Sequence, residues 1–308
     1  MRGIRLIPLL LLLVAGGAWA QRWGGWRGWG GGERWHPDYE TCRTAREVPS
    51  HSTDTPVWTN EPGFEKDTFT FVRVRRDRAE ECSPSAAQWW TDFPDSDLNL
   101  SFRLQQVTSV KVDPDGRVLR LSDPALFEYP WIYMVEPGSL RLREDEVPRL
   151  RQYLLDGGVL VADDFWGEWQ WDCFEREIRR VLPEGQFVEL PMEHPLFHCV
   201  FDVAGPKNRL QTPNIGQGIR SQVDDITWET HPRVGHFSRR DPDAERCIEM
   251  HVRALLDDPG RIRVLAIHNC DNGDGWEREG EDDYFFHEFS ETRAYPLGIN
   301  LLFYLMTH

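Results

Sequence analysis

Leu150–Trp169, LRQYLLDGGVLVADDFWGEW, decides the fold. An amphipathic helix runs to Gly157-Gly158, where the glycine pair breaks it. The apolar run Val159 to Ala162 follows as a buried strand, and the strand ends in Asp163-Asp164. A polar pair at the carboxyl end of a buried strand lies where open α/β sheets place their ligands. The segment therefore gives both a fold unit and a place to look for a site.

The same alternation extends in both directions. Phe69 to Val74, FTFVRV, reads as a first strand, and Asp97 can cap a helix reaching about Val110. Val118 to Leu121 is a short strand, and Pro130 to Val135, PWIYMV, is a stronger, buried one. Leu142 to Leu155 is a helix, Trp169 to Leu182 another, and Phe187 to Leu190 is extended. Two further extended runs flank the turn Asp258-Pro259-Gly260 as a hairpin over 247–270, and Pro296 to Met306 closes as an apolar helix. Strands alternating with helices imply an α/β fold, a mostly parallel open sheet with helices on both faces and an added β-hairpin.

The first twenty residues read as a secretory signal. Arg2 and Arg5 precede the apolar stretch Ile7 to Val14, and Ala18-Trp19-Ala20 fits a cleavage site. The apolar run is short for a stable span, so the expected location is periplasmic or extracellular, with an uncleaved anchor as the alternative. Residues 21–35, QRWGGWRGWGGGERW, are too glycine-rich to build a core, and 36–66 lack clear periodicity. Residues 21–66 are therefore read as a flexible leader and linker, and 67–308 as one domain. The net charge is −16, and about −18 without the signal (35 minus 2 basic residues against 51 acidic). That charge disfavours nucleic acid and anionic lipid as partners. Six cysteines in an exported chain favour disulfides, with Cys247 and Cys270, nearly equidistant from the hairpin turn, the first candidates and Cys42 with Cys82 the second.

Three loops carry candidate chemistry. The first holds Asp163 and Asp164 with Trp166 and Glu168. Its carboxylates can share a proton, hold a divalent cation or accept hydrogen bonds from a sugar. The second, Trp89 to Asp97 (WWTDFPDSD), offers Asp92 and Asp95 beside aromatic residues. The third, His268 to Glu277 (HNCDNGDGWE), offers Asp271, Asp274 and Trp276. It has the oxygen ligands of a calcium loop without EF-hand spacing, so a tight Asn/Asp/Gly turn is expected and no metal ligand is assigned. His268, at a strand end, is a candidate general acid or base. His194 and His198 are separated by Pro195 and read as structural. Asn214 to Gly218 is a glycine-bearing loop that lacks a phosphate-loop lysine and opens no convincing helix. No cofactor is identified, although a divalent cation is compatible with the acidic loops.

The motifs WWTDFPDSD, YPWIYMVEPG, GGVLVADDFWG, HPLFHCVFD, HNCDNGDGWE and YPLGINLLFYLMTH together resemble the bacterial family called domain of unknown function 4159. They cover about 67–308. The resemblance implies a class I glutamine amidotransferase-like, flavodoxin-like fold with no established activity. An amidotransferase would continue the strand after Gly-Gly into a Gly-x-Cys-x-Gly elbow. This chain has Asp163-Asp164 there instead, with Cys173 inside the next helix, so glutaminase chemistry is not expected.

The leading expectation is a noncatalytic periplasmic binding or accessory module. Its acidic and aromatic cleft would be formed by Asp92, Asp95, Asp163, Asp164, Trp166 and His268, and its partner would be an envelope ligand or protein. One alternative is a hydrolase of envelope glycan or peptide in which Asp163 or Asp164 activates water, alone or through a metal, with help from His268. The other is an envelope assembly component recruited through the Trp/Gly leader.

Overall fold

The computed structural model of the protein describes residues 39, 41–63, 67–77, 88–232 and 244–308. Its elements are β1 (Val72–Arg75), α1 (Asp95–Val107), β2 (Arg117–Arg120), β3 (Trp131–Val135), α2 (Glu146–Leu155), β4 (Val159–Asp163) and α3 (Gly167–Val181). They continue with β5 (Phe187–Glu189), α4 (Ile215–Asp224), β6 (Thr230–Pro232), β7 (Ala244–Arg246), β8 (His251–Leu256), β9 (Ile262–His268) and α5 (Asn272–Glu277). The short α6 (Asp283–Phe285) leads through a π-helical stretch, Phe286–Ala294, into α7 (Tyr295–Thr307).

One seven-stranded sheet has the order β2-β1-β3-β4-β9-β8-β5. The strands from β2 to β9 in that order are parallel, and the β8–β9 hairpin with β5 adds an antiparallel edge. The β6–β7 pair forms a separate small sheet. The chain turns from α2 into β4 as its sequence demands. Gly157 takes φ 113° after the C-cap Asp156, a conformation that a Cβ disfavours. At Gly158 an added Cβ would lie 2.3 Å from the Tyr153 ring.

Strand alternation divides the buried side chains between two cores. Tyr133, Val135, Val161, Leu265 and Ile267 pack under α1 and α7 through Leu98, Leu104 and Leu297. Ile132, Met134, Leu160, Ala162, Val264 and Ala266 pack under α2 and α3 through Leu150, Phe174 and Ile178. By the same parity Asp163 belongs on the α1 side and His268 on the α3 side. The two side chains therefore occupy opposite faces of the sheet.

Arg73 on β1 is fully buried. Its Nε donates to both Asp97 oxygens at 3.0 Å, and its guanidinium also donates to Trp89 O, Thr91 O and Ser96 Oγ. Asp97 is thus the counter-ion of Arg73, not the expected helix cap; Pro94 occupies that position. This clamp fixes the loop that carries Asp92.

Several expectations are corrected. Residues 41–63 are packed onto the domain and do not form a linker. Cys42, Ala45, Val48 and Trp58 are buried, Val118 N donates to Arg43 O at 2.8 Å, and Trp58 Nε1 donates to Val112 O at 2.9 Å. These anchors are isolated in the sequence, so no period announces them. Asn214–Gly218 does open a helix: Asn214 Oδ1 accepts from Gln217 N at 3.0 Å and caps α4. Cys247 and Cys270 are separate buried thiols, as Cys42 is. The chain leaves the hairpin after His268, and Cys270 bridges to Phe165 instead of facing Cys247. Cys173, inside α3, is disulfide-bonded. Cys82, the expected signal and the Trp/Gly leader lie outside the described residues. Among the described residues no helix is long and apolar enough to cross a membrane.

Candidate functional site

The carboxyl ends of three parallel strands share one local feature. Each is followed at once by a polar residue in the left-handed backbone region: Glu136 after β3 (φ 47°), Asp164 after β4 (φ 57°) and Asn269 after β9 (φ 58°). Asp92, in the loop entering α1, adopts φ 62°. Asn and Asp tolerate this region best, yet each such residue still costs on the order of 1 kcal/mol. Strain gathered at one sheet edge is characteristic of a site. Asp92 and Asp164 meet there with Glu136 close by, while Asn269 accepts from Gly167 N and donates to Glu249 O.

Asp163 and Asp164 divide the work between them. Asp163, fully buried, accepts from Tyr133 Oη (3.0 Å), Asn272 N (3.1 Å), Asn272 Nδ2 (2.9 Å) and Gly273 N (3.2 Å). Burial pushes its pKa up to about 6 even though these donors favour the anion. It is a clasp that ties β3, β4 and the start of α5 together. Asp164 points into the cluster. Trp166 Nε1 donates to its Oδ1 at 3.1 Å, and its pKa rises well above the usual carboxylate value through burial and then the nearby Glu136, Glu229 and Asp163.

Around Asp164 the expected loops converge. Ligand-capable oxygens of Asp92, Asp164 and Asp271 lie within 4.8 Å of one another, and those of Asp92, Asp274 and Glu277 form a second group with the same spacing. Asp92 belongs to both. Its Oδ2 is buried without a hydrogen-bond partner, in the space that a Cβ on residue 273 would fill, 2.0 Å from the ideal position. Glycine at 273 is what makes room for it. Asp271 caps α5 by accepting from Asp274 N at 2.8 Å, and Asp274 Oδ2 accepts from Ile215 N at 2.6 Å.

The second group has its own cation. Arg278 Nε donates to Asp274 Oδ1 at 3.2 Å, and Nη2 pairs with Glu277 Oε2 at 2.9 Å as an ion pair without hydrogen-bond alignment. Among the described residues the Asp92–Asp164–Asp271 group has no such partner: the Arg73 guanidinium nearby is already committed to Asp97. Burial, then Glu277, Asp274 and Asp164, raises Asp92 well above its ordinary pKa, and burial raises Asp271 likewise. Glu277 is pushed up to about 8 and Glu229 to about 7, burial being the first cause in both.

Of the residues expected from sequence, Asp92, Asp164, Asp271 and Asp274 meet, with Asp163 beneath them and Trp166 donating to one of them. Asp95 sits one step aside; its carboxylate accepts from Ser50 Oγ and from His51 N at 2.8 Å. Trp276 is core, donating to Ala294 O at 2.9 Å. Glu168 is exposed on α3 and belongs to none of the acidic groups among the described residues.

His268 is removed from the acidic loops by strand parity. It lies on the α3 side, where Nε2 donates to Gly167 O at 3.1 Å, Nδ1 accepts from Arg253 at 3.4 Å, and the ring packs on Phe165, Trp171 and His251. Burial, then Arg253, pushes its pKa down to about 3. A neutral, doubly engaged imidazole is no general acid or base for the acidic cluster.

Sequence reasoning missed Glu136, Glu229, Arg278 and His51, and read Glu277 only as the end of the third loop. Glu136 directly follows the buried strand of PWIYMV, so the rule that found Asp164 applies to it as well. Glu229 and His51 lie in stretches without periodicity, and nothing in the pattern points to them. The aromatic residues Trp89, Phe93, Trp166 and Trp276 are buried, and so are the carboxylates of Asp92, Asp164 and Asp271.

Comparison with family models matches residues 70–306 to the Domain of unknown function (DUF4159) family. A comparison with curated proteins finds no match.

Proposed function

The chain belongs to the DUF4159 family, and from that premise and the geometry of the acidic cluster we propose that the domain is a noncatalytic binding module whose ligand is a small cation. The observation that carries this reading is the buried set Asp92, Asp164 and Asp271, whose carboxylates lie within 4.8 Å of one another, with Asp92 Oδ2 lacking a hydrogen-bond partner. Buried charges need pairing, and a small cation can reach buried oxygens where a polymer cannot. Glutaminase chemistry finds no support. The turn after β4 carries Asp164, Cys173 is disulfide-bonded, and burial raises the Cys270 thiol well above its usual pKa. On the strength of the Arg2–Ala20 stretch we place the module outside the cytoplasm, which fractionation of tagged full-length protein tests.

The test is thermal unfolding of the full chain with calcium, magnesium, manganese, spermidine or choline chloride, against sodium chloride at matched ionic strength. A cation that raises Tm in the wild type and not in Asp164→Asn supports the reading. No shift beyond the sodium control with any cation contradicts it.

A hydrolase is the second reading, favoured by the strained turn at Asp164 between a buried strand and a helix. Nucleophiles are presented at turns of that kind. Turnover of ester, glycoside or peptide substrates that Asp164→Asn abolishes while the fold persists would establish it in place of the noncatalytic module.

A further inference from the structure

We propose that one divalent cation of the hard, oxygen-seeking class, calcium or magnesium in type, binds between Asp92, Asp164 and Asp271, while the Arg278 guanidinium fills the adjoining Asp92–Asp274–Glu277 position as a built-in counter-ion. This rests on the cation-binding reading of the domain and names its chemistry, its ligands and its stoichiometry.

The donor set fixes the class of cation. All three groups offer carboxylate oxygen, and neither histidine nor thiol joins them. Oxygen-only sites suit calcium, magnesium or manganese, not zinc or copper. The spacing fits as well. Three oxygens no more than 4.8 Å apart have a common point no farther than 4.8 divided by √3, about 2.8 Å, from each. Small side-chain movements close that to the roughly 2.3–2.6 Å of calcium–oxygen bonds.

Acidic groups often cluster without a metal, so the case turns on a second fact. Asp92 is 7% exposed, its Oδ2 has no hydrogen-bond partner, and that atom lies over Gly273 beside Asp271 Oδ1. A buried acceptor left unsatisfied costs about 1–3 kcal/mol, and more for a charged group. A cation supplies what Asp92 Oδ2 lacks.

In the other two acidic groupings among the described residues protein groups already engage the carboxylates, although Glu277 Oε2, like Asp92 Oδ2, has no aligned hydrogen bond. Arg278 reaches Asp274 and Glu277 at 3.2 and 2.9 Å. In the group of His51, Asp95 and Glu277, both Asp95 oxygens already accept hydrogen bonds, and His51 Nε2 engages Tyr39 Oη at 3.1 Å. One uncompensated position remains. The expected stoichiometry is one cation per chain.

The experiment is calorimetric titration of the full chain, stripped with chelator, using calcium chloride and then magnesium and manganese chloride. The wild type should bind one ion of at least one of these metals. Asp92→Asn and, separately, Asp271→Asn should weaken binding at least tenfold while keeping the wild-type circular dichroism. Asp172→Asn, at an exposed position of α3, should leave it unchanged. Arg278→Gln should raise the stoichiometry to two, a gain that no misfolded variant mimics. Binding unaltered by both Asp92→Asn and Asp271→Asn overturns the site, and two ions in the wild type overturn the role of Arg278. If no divalent metal binds but spermidine or choline does, this proposal falls and the broader reading stands; if nothing binds, both fall.

Discussion

Two buried polar clusters lie on either side of the loop 89–97, and they are built on opposite principles. Around Arg73, every nitrogen of a fully buried guanidinium finds an acceptor, and the partner carboxylate of Asp97 is held at both oxygens. Around Asp92, carboxylates face one another, one oxygen has no partner, and several carboxyl groups titrate far above their ordinary range. A satisfied network stabilises a fold; one left incomplete in the protein alone marks a place completed from outside. The same short loop belongs to both, since Arg73 anchors it so that Asp92 can be held in a strained and repulsive position.

Substitutions should separate the two. Arg73→Met leaves Asp97 buried without its partner and should cost about 3–5 kcal/mol, read as a large fall in the chemical-denaturation midpoint. Asp163→Ala strands the donors of Asn272 and Gly273 and should cost about 1–3 kcal/mol in the same measurement. Asp92→Asn should move the other way. Relieving like-charge repulsion should raise the Tm of the chelator-treated protein above that of the wild type, while abolishing any rise caused by a bound cation. If Asp92→Asn destabilises as Arg73→Met does, the contrast between the clusters is wrong. Asp172→Asn, at an exposed position of α3, should change stability by less than about 0.5 kcal/mol.

Acidity sharpens the same contrast. Glu277, Glu229 and Asp163 titrate near 8, 7 and 6 in the folded chain, above the ordinary carboxylate values of 4.5, 4.5 and 3.8. The folded state therefore binds more protons than the unfolded state across about pH 4.5–8. Stability of the cation-free protein from these groups is present at low pH and should fall as pH rises through that window. His268, held near 3 against an ordinary 6.5, acts with opposite sign, and its contribution is lost as pH falls below about 6.5. Denaturation midpoints between pH 6.5 and 8 should thus fall in the wild type. The fall should be shallower in Asp92→Asn and shallower again with saturating cation, because metal replaces protons on the carboxylates.

The glycine break and apolar run of Leu150–Trp169 were enough to read β4 and the helices around it, since period and punctuation are local signals. The rule that ligands gather at the carboxyl ends of parallel strands brought Asp92, Asp164, Asp271 and Asp274 to one place. It failed for His268 because a strand end does not say which face a side chain takes; two-residue parity, counted from Val264 and Ala266, does. Ala45 and Trp58 were illegible for another reason. They are single anchors on an irregular segment, and their partners Asp115 and Val112 lie far along the chain. Arg278 and Glu229 entered the site through folding alone.

The cation site is best examined in a crystal of the full chain grown with manganese and measured for its anomalous signal. One anomalous peak per chain is expected, bounded by the carboxylates of Asp92, Asp164 and Asp271, with Arg278 still on Asp274 and Glu277. No peak among those three carboxylates, or the Asp92 Oδ2 atom found satisfied by a protein donor, would contradict it.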